Sequence, residues 1–92
     1  MKRSDLRVGA TYSDGKKGLR RIVAFGRQYK LYDSQEETDC LLYAVVAGAT
    51  RSVGMRGRTA AGEPLYHSTA TSFAAWAKAC AEEAAPVAAS ES

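Results

Sequence analysis

Apolar side chains alternate or run unbroken along most of this chain, and only near its end do they take the spacing of a helix. Leu6, Val8, Ala10 and Tyr12 alternate with their neighbours, the period of a strand with one buried face. Ser13-Asp14-Gly15-Lys16-Lys17-Gly18 is turn chemistry, and Leu19-Arg20-Arg21-Ile22-Val23-Ala24-Phe25 reads as a returning strand. Together they predict a β-hairpin with Lys16 and Lys17 at its tip. Gly26-Arg27-Gln28 is a short turn, and Tyr29-Lys30-Leu31-Tyr32 is expected to form a third strand. Cys40-Leu41-Leu42-Tyr43-Ala44-Val45-Val46-Ala47 is the most apolar segment and predicts a central strand buried on both faces, with a short helix as the alternative.

Residues 48–63 contain several glycines and no period, which predicts a long mobile loop. Pro64 suits the start of an edge strand, with Leu65-Tyr66-His67 as a short fifth strand. Phe73, Trp76, Ala77 and Cys80 fall at i, i+3, i+4 and i+7, one face of an α-helix. Ser68, Thr69 and Thr71 offer N-cap oxygens ahead of it, and Pro86 is expected to stop it. Consecutive short strands followed by one helix predict an α+β domain. Its sheet is strongly bent and antiparallel, with four or five strands, and the C-terminal helix closes one opening. Residues 1–84 form the single domain of this reading, and residues 85–92 a flexible tail.

A chain of 92 residues has room for one compact core and little room for a cleft between domains. The net charge of +3 is unevenly placed. Residues 1–30 hold nine Lys or Arg against Asp5 and Asp14, whereas the charges of residues 31–48 are all acidic, at Asp33, Glu36, Glu37 and Asp39. Such a one-sided field steers an anionic partner, or is neutralised internally if the acidic loop lies near the hairpin. Cys40 and Cys80 read as small buried apolar residues and not as a secretory disulfide framework. The charged start of the chain is not a signal sequence, and no apolar run has membrane-spanning length. A cytoplasmic protein without a membrane partner is expected.

The glycines do not make a phosphate loop. Gly15-Lys16-Lys17-Gly18 and Gly54-Met55-Arg56-Gly57 both lack the Lys-Ser/Thr pair after the second glycine. One histidine and two distant cysteines give no metal site, and the Asp33 to Asp39 cluster lacks the spacing of a calcium loop. His67 beside Ser68 points to the opposite strand face, so no catalytic pair is expected, and no cofactor. The basic hairpin is the remaining signal. Lys16, Lys17, Arg20, Arg21, Arg27 and Lys30, with Tyr29 and Tyr32 among them, are the candidate residues for binding nucleic acid or another partner. Cations meet phosphates there and rings stack on unpaired bases. Arg51, Arg56 and Arg58 would join them if the long loop folds to that side.

Val8-Gly9-x-x-Tyr12, Lys17-Gly18-x-x-Arg21-x-Val23 and Ser72-Phe73-Ala74-x-Trp76-Ala77 resemble a group of very small phage and prophage proteins. The resemblance covers roughly the first 30 residues and the last helix. It implies an SH3-like barrel and a phage or bacterial setting, and no catalytic residue. Two functions follow as expectations. The first is a non-enzymatic module, phage- or prophage-encoded, that binds a host protein; the alternative is a nucleic-acid-binding module using the basic hairpin face. Self-association through an edge strand or the helix, giving a homo-oligomer, is a third.

Overall fold

A computed structural model describes residues 1–30, 32–35, 39–50 and 53–83 of the chain. Among these, six strands and one α-helix follow one another: β1 (Thr11–Ser13), β2 (Leu19–Phe25), β3 (Cys40–Ala47), β4 (Met55–Arg58), β5 (Pro64–Thr69), α1 (Ala70–Trp76) and β6 (Ala79–Glu82). Every strand pair is antiparallel, and the open sheet runs β4-β5-β3-β2-β1-β6. The fold is a small α+β domain, with six strands where the sequence suggests four or five.

The apolar run 40–47 is an interior strand, as its composition requires. Leu41, Tyr43 and Val45 face the main core, while Cys40 and Ala44 are fully buried on the other face. The helix lies over the first face. Phe73 is its anchor, with ring centroids 5.7 Å from Tyr12, 5.5 Å from Tyr43 and 5.5 Å from Trp76. Tyr12 is buried to its hydroxyl, which donates to the Asp5 carbonyl at 3.0 Å and accepts from the Arg7 amide at 2.7 Å. The start of α1 is well served: Thr69 Oγ1 accepts from the Ser72 amide at 2.9 Å, and Asp39 accepts from the Thr71 amide at 3.1 Å. These bonds satisfy two of the donors that a helix start leaves open and place a carboxylate at its positive end.

Four expectations need correction. First, the alternation from Leu6 becomes a strand only at Thr11. Arg3–Asp5 is a 3-10 turn and Gly9, at φ 87°, breaks the run, although Leu6 and Ala10 remain buried. Second, Arg27–Tyr29 is a 3-10 turn in place of a third strand, and Leu31 lies outside the described residues. Its amides bond locally, Tyr29 to the Gly26 carbonyl and Lys30 to that of Arg27, so no ladder is needed. Tyr29 instead sets its ring against His67 on β5, at 5.4 Å.

Third, the glycine-rich stretch hides β4. Gly54, at positive φ, precedes it, and Gly62, also at positive φ, lies in the β4–β5 turn that the Thr59 amide closes on the Glu63 carbonyl. β4 is therefore the edge and β5 an interior strand. Pro64 opens β5 opposite Arg58, where its missing donor matters little. Exposed Arg56 and Arg58 and the register shift on β4 are features that discourage further pairing of an edge.

Fourth, the helix ends at Trp76 and does not continue toward Pro86. Ala77 is extended, the Lys78 amide bonds the Ser13 carbonyl at 2.7 Å, and β6 pairs with β1. The alanines favour helix, but the bare outer edge of β1 offers a ladder that a continued helix could not fill. Cys80 still packs against the core, now from a strand opposite Tyr12. The expected tail, 85–92, lies outside the described residues.

Truncating Phe73 to alanine is expected to remove about 3–5 kcal/mol from the unfolding free energy, read by denaturant titration. Thr69→Ala, which loses only the cap, should cost about 1 kcal/mol in the same assay.

Candidate functional site

The turn between β1 and β2 is built by its own side chains. Asp14 Oδ1 accepts from the Lys16 amide at 2.8 Å and the Gly18 amide at 3.2 Å, while Ser13 Oγ accepts from the Gly15 amide at 3.0 Å. The Asp side chain thereby replaces backbone partners and leaves Lys16 and Lys17 exposed at the tip. Behind the tip, Gly18 and Gly48 meet backbone to backbone. A Cβ on Gly48 would lie 2.9 Å from the Gly18 Cα, and its φ of 102° is itself left-handed. Gly18 also lies close to the Trp76 ring. The hairpin turn, the end of α1 and the loop after β3 thus converge on one corner.

At that corner the two neighbouring arginines of β2 have opposite surroundings. Arg21 faces outward across β3 and holds Glu63 through both carboxylate oxygens, at 2.5 and 3.3 Å. The Arg21 hydrogen bond, and after it the guanidinium charge, keeps the Glu63 carboxyl below the usual range despite burial. Arg20 faces the core side, in register with Val45. Its guanidinium lies 4.2 Å from the Trp76 ring centre and 4.9 Å from that of Tyr43. No carboxylate or carbonyl among the described residues accepts a hydrogen bond from it. It borders a pocket of about 270 Å³ lined also by Tyr43, Val45, Ala49, Thr50 and Tyr66.

The remaining sequence candidates are not in this corner. Arg27, Tyr29, Lys30 and Tyr32 follow the far end of β2. Tyr32 is exposed, whereas Tyr29 turns its ring to His67. Lys16, Lys17 and Arg20 therefore form one group, Arg21 belongs to the opposite face, and the other four lie at the other end. Arg56 and Arg58 are exposed on edge strand β4, and Arg51 is outside the described residues. Asp39, in the acidic stretch, pairs with Arg3 at 3.5 Å and with the start of α1; Glu36 and Glu37 lie outside the described residues. Sequence reasoning missed Tyr43, Tyr66, Ala49, Thr50 and Trp76 as neighbours of Arg20. The available signal was parity: Arg20 shares the inward face of β2 with Ile22, an unusual place for a cation.

His67 is held below its usual pKa first by burial and then by Arg56, and its Nδ1 is buried without a hydrogen bond. Cys40 and Cys80 are not joined in a disulfide, and burial pushes the Cys80 thiol up. Among the described residues no group of three His, Cys, Asp or Glu side chains gathers as a metal site. No described helix is long and apolar enough to cross a membrane. No protein-family model, curated protein or solved structure matches the chain.

Two outcomes follow. The Arg21–Glu63 pair should add stability above the ordinary glutamate range, near pH ~4.3, and lose it as pH falls through the lowered folded value. Glu63→Gln, compared with the parent by denaturation across acid pH, should abolish that part of the slope. Gly48→Ala should cost about 1–3 kcal/mol, because it combines a left-handed backbone with a backbone clash at Gly18.

Proposed function

We propose that this protein is a non-enzymatic interaction module that binds a partner protein at the corner where the β1–β2 turn meets the loop after β3. The observation that carries this reading is the contrast between the two arginines: Arg21 has an internal carboxylate, and Arg20, equally half-buried, has none among the described residues. A cation fixed against two rings with its donors unused is pre-organised for an acceptor from outside. Lys16 and Lys17 at the same corner add a field that favours an acidic approach. The likeness to small phage and prophage proteins suggests a bacterial cytoplasmic protein as the partner. It also suggests reading the six-stranded sheet as an SH3-like barrel. The register shifts within β1–β6 and β2–β3 support that reading, since such irregularities bend a sheet.

A nucleic-acid-binding role is the second reading, favoured by exposed Lys16 and Lys17. It is the weaker one, because Tyr29 packs against His67 and the candidate cations divide between two ends and two faces. Immobilised protein incubated with nuclease-treated bacterial lysate should retain one reproducible protein. That retention should fall with added salt and disappear for Lys16→Glu/Lys17→Glu. Recovery of nothing reproducible with or without nuclease, or retention seen only when the nuclease is omitted, would reject the protein-partner reading, the latter in favour of nucleic acid.

A further inference from the structure

The pocket beside Arg20 restricts what can enter it. Among the described residues Arg20 is the sole cation in its lining; Lys16 and Lys17 belong to the neighbouring turn. The Arg20 guanidinium carbon lies over the Trp76 ring at 4.2 Å and over the Tyr43 ring at 4.9 Å, and the group brings a planar fork of N–H donors to the pocket. That fork matches the two oxygens of a carboxylate. One fixed positive charge also balances one carboxylate, whereas a phosphate dianion would be left half-neutralised.

The walls narrow the choice further. Tyr43 and Tyr66 stack on each other at 5.6 Å and are only 7% and 6% exposed, too little ring surface for a nucleobase to stack on. Val45 and Ala49 supply apolar wall and Thr50 a hydroxyl. A volume of about 270 Å³ holds a single side chain of modest length, roughly the space of nine waters at ~30 Å³ each.

We infer that this pocket binds the carboxylate of an aspartate or glutamate side chain, set among apolar residues, on a segment of the partner protein; the inference rests on the interaction-module reading. Arg20 takes the carboxylate end-on through its fork. Val45, Ala49 and the ring edges lie along the side-chain stem, and Lys16 and Lys17 speed the approach without entering the pocket.

Trp76 is the single tryptophan of the chain and touches Arg20, so its emission reports the site directly. The full chain is titrated with the capped peptide Ser-Leu-Glu-Leu-Ser, with its Gln counterpart and with inorganic phosphate. The Glu peptide should give a saturating change, and both comparisons should bind about tenfold more weakly or less. Arg20→Lys, which keeps the charge and loses the fork, should weaken the Glu peptide by about tenfold. Because altering Arg20 also disturbs two ring contacts, Ala49→Glu serves as a second variant. It sits on an exposed lining residue, should supply a competing carboxylate, and should abolish peptide binding without lowering the melting temperature.

Equal binding of the Glu and Gln peptides, unchanged binding by both variants, or tighter binding of phosphate would overturn the proposal. If the peptide fails while lysate capture still depends on Lys16 and Lys17, the pocket assignment falls and the interaction reading stands. If the peptide binds while capture fails, the carboxylate site stands and the reading of a partner protein falls.

Discussion

Phe73 is the contact through which the helix, the hairpin and the central strand become one body. A seven-residue helix has no stability of its own in water, so α1 exists because its ring is seated between Tyr12 and Tyr43. Those two tyrosines are in turn fixed from other directions. Tyr12 is bonded at its hydroxyl by the segment before β1, and Tyr43 is stacked on Tyr66 of β5. The edge-to-face geometry lets each ring bury area while meeting a neighbour's electropositive rim. The result is a continuous aromatic layer from Tyr66 to Trp76 under the helix.

That layer explains the state of Arg20. At its Trp76 end the layer needs a cover, and β2 supplies Arg20, whose guanidinium carbon lies over the Trp76 and Tyr43 rings. The same packing that completes the core holds the cation against the two rings. Arg21, one residue along and on the opposite face, is satisfied within the molecule by Glu63. Structural and interaction chemistry are thereby separated by the two-residue period of one strand.

Much of the fold was legible because its signals were local. The β1–β2 turn, the doubly buried run at 40–47, Pro64 at a strand start and the Thr69 cap each follow from residue types at short range. What was hidden depended on distant partners. Met55–Arg58 looks like loop until β5 is beside it, and Ala79–Glu82 looks helical until the edge of β1 is seen to be vacant. The spacing of Phe73, Trp76, Ala77 and Cys80 correctly named inward-facing residues while misnaming the element that carries the last of them. For the site, charge density along the sequence suggested one basic face. Strand alternation divided it, and the arginine nearest the aromatic layer was distinguished only by sharing the parity of Ile22.

The pairing of β1 with β6 has a bearing on how the chain is made. Among the described strands β1 is made first and β6 last, so the outer edge of β1 waits, without β6, until the strands between them have been made. Closure joins the two most widely separated segments of the sheet, the slowest kind of contact to find. During that interval a short first strand bounded by Gly9 and Asp14 is a poor template for a stray chain, and its brevity protects the nascent protein.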